Sequence, residues 1–197
     1  MSDHRKFFPL FSITAEGESR RSFLGFASAA GMSVALAPLK GWAQDQPPAC
    51  QGKGPYDAMV LSCIDPRIID QVHYYMDVTS KQRCKYSQFV IAGAAVGVVA
   101  PKFTAWHVAF WENLDASISL HKIKKVIAID HRDCGAAKIA YGDKSIADPA
   151  TETATHKRVL AEFRKEVNRR HPDLEVVTGL MALDGKIDLF TGNAAEG

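Results

Sequence analysis

Two runs of five residues, each apolar and each breaking into a cysteine-bearing loop, constrain this chain more than any other feature. The first is Ala58-Met59-Val60-Leu61-Ser62, followed by Cys63-Ile64-Asp65-Pro66-Arg67. The second is Val126-Ile127-Ala128-Ile129-Asp130, followed by His131-Arg132-Asp133-Cys134-Gly135, after which a helical pattern starts at once. Short apolar runs rich in β-branched residues read as fully buried strands. Loops at the carboxyl ends of such strands are where open α/β sheets carry their sites.

The rest of the chain fits around these runs. Strand one is expected at about Tyr56–Ser62, a helix over Ile68–Met76 and a second strand over Ser87–Ala92. Gly93-Ala94-Ala95-Val96-Gly97 lacks the spacing and the acidic partner of a dinucleotide fingerprint, so it reads as a close-packed turn. A long helix is predicted over Phe103–Leu120, with Trp106, Phe110, Leu114 and Ser117 or Ile118 as a stripe for the core or a subunit interface. His107 and His121 on it read as surface or capping residues. Thr151–Arg170 reads as a charged amphipathic helix stopped by His171-Pro172, its charges forming a solvated face. Glu175–Leu183 and Lys186–Phe190, split by Asp184-Gly185, make a terminal hairpin. Alternating strands and helices predict an α/β fold: a mainly parallel β-sheet flanked by helices on both faces, with a C-terminal antiparallel edge.

The chain also begins with a distinct segment. Ser19-Arg20-Arg21-Ser22-Phe23-Leu24 is a twin-arginine pair before two bulky apolar residues, followed by a moderately apolar stretch to Pro38 and a small-residue site at Gly41-Trp42-Ala43. Residues 1–43 therefore read as a twin-arginine (Tat) signal peptide, 44–55 as a polar linker and 56–197 as one domain. That layout predicts passage through the Tat translocase to the periplasm. The apolar stretch is too short for a membrane span, and no other approaches that length. Without residues 1–43 the remainder holds 19 Lys/Arg and 19 Asp/Glu, taken from totals of 24 and 22. A neutral domain lacking a basic run is a poor fit to nucleic acid.

All four cysteines, Cys50, Cys63, Cys84 and Cys134, follow the signal segment. In an oxidising compartment two disulfides are conceivable. Further ligand-type residues beside Cys63 and Cys134 favour a metal instead, and Cys50 with Cys84 remain as a pair that geometry must decide. Cys63, His131 and Cys134 give two thiolates and an imidazole, which suit one Zn2+ per chain and leave a fourth position open. Asp65 can close that position or stand off it. Arg67, two residues on, can hold both carboxylate oxygens and keep Asp65 as an acceptor for a zinc-bound hydroxide. Two thiolates cancel the charge of the ion, so its water should be less acidic than the value of about 7 at a three-histidine site, and activity should rise toward alkaline pH. At lower pH, protonation or rearrangement of the Asp65–Arg67 pair would let Asp65 move onto the metal.

With these residues the sequence resembles the β-class carbonic anhydrases. The resemblance rests on Cys63-Ile64-Asp65-Pro66-Arg67 and His131-Arg132-Asp133-Cys134-Gly135, and it extends from about Tyr56 to Phe190. It implies a carbonate dehydratase (a zinc lyase) that hydrates carbon dioxide reversibly to bicarbonate, built as a homodimer or higher homo-oligomer. It further implies Cys63, His131 and Cys134 as ligands, with Asp65 joining them in a closed state. Asp65 and Arg67 would be the catalytic dyad, and the Gly135 amide would line the substrate site. The sequence departs from the pattern at Ile91-Ala92-Gly93-Ala94-Ala95, where family members commonly carry an R-N-A-G-N-like segment. The glutamine that many members place ahead of the first strand has its nearest counterpart in Gln51, whereas the matching spacing falls near Lys53-Gly54. Carbonyl sulfide or carbon disulfide hydrolysis on the same fold, and a zinc-binding homologue without turnover, are the competing readings. His73, His107 and His156 are possible proton shuttles only if they face the site.

Overall fold

Strand β1 (Ala58–Ser62) is buried at every residue, as a run with no polar alternation requires when both faces of a sheet are covered. It pairs in parallel with β3 (Lys125–His131), Ala58 opposite Lys125 and Ser62 opposite Ile129. These two form the middle of a five-stranded sheet in a computed structural model that describes residues 49–51 and 54–190. The signal segment and its cleavage site lie outside the described residues, as do parts of the linker and the last seven residues.

The order is β2-β1-β3-β4-β5, with β2 being Tyr86–Val90, β4 Glu175–Met181 and β5 Ile187–Phe190. The first four strands are parallel and β5 is antiparallel to β4. This is the expected mixed α/β sheet with an antiparallel edge. Both edge strands are only partly buried, in keeping with their mixed polar and apolar residues.

Helices α1 (Ile69–Tyr74), α3 (Thr104–Ala116), α4 (Gly135–Tyr141) and α5 (Pro149–Arg170) lie close to the expected positions. Helix α5 starts two residues early because Asp148 caps it, accepting from the Ala150 and Thr151 amides at 2.9 and 3.0 Å, and Pro149 fills the first turn. Between β2 and α3 the expected turn is a short helix instead, α2 (Ala95–Val99), buried along its whole length. Its small residues serve close packing nonetheless: a Cβ at Gly93 would meet the Cβ atoms of Ala136 and Val96.

The stripe on α3 divides. Phe110 and Leu114 are wholly buried, and Phe110 packs against Phe163 of α5 at 5.6 Å between ring centroids. Trp106 leaves the core with 37 % exposure and stacks on Phe103 at 4.2 Å. The solvated face assigned to α5 needs correction too. Glu152 and His156 are buried, and Arg164 reaches Thr178 Oγ1 at 2.7 Å and the Phe190 carbonyl at 2.8 Å, tying the helix to the terminal hairpin. Cys50 and Cys84 are joined, with Cα atoms 5.3 Å apart, while Cys63 and Cys134 are free and buried. Among the described residues no helix is long and apolar enough to cross a membrane.

Candidate metal centre and active site

Because β1 and β3 are neighbours running the same way, their carboxyl ends deliver the two cysteine loops to one place. The Sγ atoms of Cys63 and Cys134 and a ring nitrogen of His131 lie within 4.8 Å of one another, and all three residues are buried. His131 Nδ1 sits 2.8 Å from the Arg132 carbonyl, so the ring donates its Nδ1 proton there and leaves Nε2 as an acceptor. That Nε2 is buried without a hydrogen-bond partner. An orphaned imidazole nitrogen facing two sulfurs is what a soft, tetrahedral cation needs, and the carbonyl behind the ring fixes its tautomer as in established metal sites.

The sulfurs are primed for such a role. The Cys134 thiol donates to Cys63, which holds the Cys63 pKa well below the ordinary thiol range, and the Gly93 amide adds a hydrogen bond at 3.1 Å. The same bond, helped by burial, pushes Cys134 up. Burial works against a charged His131 ring, yet the neighbouring Cys63 sulfur outweighs it and the pKa is raised. The hydrogen bond between the two sulfurs thus favours a thiolate at Cys63 over one at Cys134.

Beside the cluster stands the expected pair. Arg67 Nε lies 3.0 and 3.2 Å from the two Asp65 oxygens, its Nη2 lies 2.8 Å from Oδ2, and the Arg67 amide reaches Oδ1 at 2.9 Å. The Arg67 guanidinium holds the Asp65 carboxyl down at about 2, and Asp65 in turn raises Arg67. Asp65 Oδ2 is 4.0 Å from His131 Nε2. The carboxylate therefore stands at the cluster's edge in an ionised state, and its protonation does not occur in mildly acidic solution.

A cavity of about 310 Å³ opens beside the cluster, reaching it at Cys63. Cys63, Asp65 and Gly135 line it together with an apolar wall that includes Ile64, Phe103, Trp106 and Ile139. Trp106 and Phe103 are thus part of the site and not only core. Gly135 begins α4, and a Cβ there would meet nothing within 4 Å. None of the three candidate shuttles lines the cavity: His73 is 3.3 Å from Gln88 Oε1, His107 is 3.1 Å from the Ala100 carbonyl, and His156 is wholly buried against Asp130 at 2.8 Å.

Two supporting layers escaped the sequence. Asp130 accepts from His156 on one oxygen and from the Ala95 amide at 2.9 Å on the other, which ties α5 and α2 to the strand that ends in His131. Glu152 accepts from the Asp133 amide and from Arg132 Nη1 at 3.2 Å, which clamps the second loop. The signal was spacing. Glu152, His156, Val159, Phe163 and Val167 form one buried stripe with steps of three and four, the interval of a helix face.

No family model matches the sequence. A protein of Rickettsia conorii is 31% identical over 130 residues, spanning 66% of this chain and 69% of that protein. The chain belongs to the same family. A second member, from Rickettsia bellii, is 32% identical over 130 residues, covering 66% of this chain and 79% of its own. Both members are described only as uncharacterised proteins, so the family brings no activity with it. Solved structures similar to the chain include a β-carbonic anhydrase of Aspergillus fumigatus, 14% identical with a TM-score of 0.48, covering 73% of this chain and 78% of that one. A tetrameric β-carbonic anhydrase of Sordaria macrospora is 12% identical with a TM-score of 0.47, covering 72% and 84%. The apo form of a carbon disulfide hydrolase is 17% identical with a TM-score of 0.38, covering 68% and 78%. Activity has to be argued from the side chains themselves.

Proposed function

We propose that the protein is a zinc-dependent carbonate dehydratase that interconverts carbon dioxide and bicarbonate. The observation that carries this reading is the orphaned His131 Nε2 among two buried sulfurs, with an ionised Asp65 fixed by Arg67 at the edge of the cluster. Cys63, His131 and Cys134 are the residues that would hold the metal. Zinc, when bound there, would supply a Lewis acid that makes water a nucleophile, at a more alkaline pH than a three-histidine site because two thiolates offset its charge. Asp65 accepts a hydrogen bond from the attacking water and orients it, because an ionised carboxylate is an acceptor only. Arg67 fixes the direction of that acceptor and keeps it ionised. The apolar wall excludes bulk water and suits a small uncharged substrate, and the Gly135 amide is assigned to a substrate oxygen. A closed state in which Asp65 becomes a ligand would require loss of its pairing with Arg67, since its own proton uptake lies near pH 2.

Export through the Tat pathway to the periplasm and assembly as a homodimer or higher homo-oligomer are part of the same proposal. Cell fractionation of a variant with both Arg20 and Arg21 changed to Lys tests the first, and light scattering of purified protein tests the second. Stopped-flow hydration of carbon dioxide by protein loaded with one zinc per chain tests the reaction. Asp65→Asn should keep the zinc and lose about 10²-fold or more in turnover. Zinc-loaded protein without hydration activity overturns the reading. The apolar wall of Ile64, Phe103, Trp106 and Ile139 favours one second reading, hydrolysis of carbonyl sulfide or carbon disulfide, which release of hydrogen sulfide would identify.

A further inference from the structure

The loop that carries His131 and Cys134 contains one residue in the left-handed region, Asp133 at φ +55°. A non-glycine residue there is sparsely populated, although Asp tolerates it better than most. It persists because both sides of the residue are held. Behind it, the buried Glu152 accepts from the Asp133 amide, and its other oxygen takes Arg132 Nη1 at 3.2 Å. In front, Asp133 Oδ2 accepts from Arg67 Nη1 at 2.7 Å, and the Asp133 carbonyl accepts from Arg67 Nη2 at 3.1 Å. Arg67 is therefore gripped from two directions, by Asp65 and by Asp133. A continuous set of hydrogen bonds runs from the first turn of α5 to the carboxylate beside the metal cluster.

We propose that Glu152 and Asp133 are positioning residues that lock Arg67 onto Asp65 and so hold Asp65 off the metal. The proposal rests on the metal-site reading above and on no particular substrate. The Arg67–Asp133 contact is exposed and by itself weak. The buried Glu152 makes it effective, because the left-handed turn presents both the Asp133 carbonyl and the Asp133 carboxylate to one guanidinium. Without the clamp the turn can relax, Arg67 loses half of its acceptors, and Asp65 gains the freedom to reach the fourth metal position. Neither Glu152 nor Asp133 has a side-chain hydrogen bond to the sulfurs or to the His131 ring. Glu152 does hold the peptide whose carbonyl accepts from His131 Nδ1, so the Asp65→Asn background is what separates a route through Arg67 from one through that peptide.

Cobalt(II) in place of zinc gives a visible spectrum that reports the donor set without any turnover. Glu152→Gln and Asp133→Asn are each compared with the parent, alone and combined with Asp65→Asn, across mildly acidic to alkaline pH. Asp133→Asn lies at an exposed side chain and keeps the proposal testable if Glu152→Gln fails to fold. Both single variants should show a spectral form absent from the parent at neutral pH. That form should vanish in the Asp65→Asn background. Parental spectra in both single variants overturn the proposal, as does a spectral change that survives Asp65→Asn. Failure of the parent to bind cobalt at all would instead overturn the metal site itself.

Discussion

Alanine at position 93 should lower both the stability of the protein and its affinity for metal. Gly93 sits between β2 and α2 at φ +81°, a conformation that costs an L-residue roughly 1–2 kcal/mol. A Cβ there would lie 2.8 Å from the Ala136 Cβ and 3.0 Å from the Val96 Cβ. Neither neighbour is the end of a flexible side chain, so one short helix must shift, and overpacking of this kind costs about 1–3 kcal/mol. Together the two effects amount to about 2–5 kcal/mol, a large share of the roughly 5–15 kcal/mol that holds a typical domain folded. The shift has a direction. Ala136 follows Cys134 by two residues, and the Gly93 amide is the one that reaches the Cys63 sulfur at 3.1 Å. Relief of the clash therefore moves the two sulfurs relative to each other. Gly135→Ala is the matched control, since its Cβ would meet nothing within 4 Å and its backbone is not in the left-handed region. Urea denaturation and zinc competition against a chromophoric chelator, run on both variants and the parent, give the two quantities. A Gly93→Ala protein within about 0.5 kcal/mol of the parent would refute the packing argument. A destabilised one with parental zinc affinity would refute the coupling to the sulfurs.

Replacing Cys50 and Cys84 together by Ser should cost about 4 kcal/mol, because the bond closes a loop with a sequence separation of 34, and zinc binding should be untouched; an unchanged denaturation midpoint with and without reductant would contradict this. Arg67→Gln should return the Asp65 carboxyl from about 2 toward its ordinary 3.8, readable by NMR titration of the metal-free, reduced protein. A depressed carboxylate stabilises the fold above its unfolded pKa and loses that contribution as pH falls through its folded one, so the stability gap between parent and variant should close between about pH 4 and pH 2. An Asp65 still titrating near 2 in the variant would show that Arg67 is not the cause. His156→Leu leaves the buried Asp130 with the Ala95 amide alone and should cost about 3–5 kcal/mol, whereas the double change with Asp130→Asn should cost less than the sum; strict additivity in denaturant unfolding would mean that the two side chains do not support each other.

The central strands and the terminal hairpin were legible because their patterns are extreme. β1 and β3 each carry four consecutive apolar residues, Ala58–Leu61 and Val126–Ile129, and the hairpin is split by Asp184-Gly185 at its turn. The cluster was legible for the same reason, since Cys63 directly follows one such strand, His131 closes the other and Cys134 lies three residues further on. Helix α2 was not, because Ala95–Val99 is buried all round and a helix without a polar face has no period to read. The clamp from α5 was hidden by an assumption about charge. Glu152 and His156 occupy the buried stripe beside Val159 and Phe163, but most Glu and His on a charged helix face water, and only tertiary contact distinguishes the exceptions. The cavity wall was hidden as well, since Trp106 has the spacing of a core residue and turns outward onto Phe103.

The four sulfurs sort themselves by geography. Cys84 lies just before β2 begins and Cys63 just after the parallel β1 ends, so the two couples occupy opposite ends of one layer, about 17 Å apart for strands of five residues. Oxidation can join Cys50 to Cys84 while Cys63 and Cys134 stay out of reach of that couple. A single chain can therefore carry a covalent tie suited to an oxidising milieu and a thiolate pair suited to a cation, kept from scrambling by nothing more than the length of a strand.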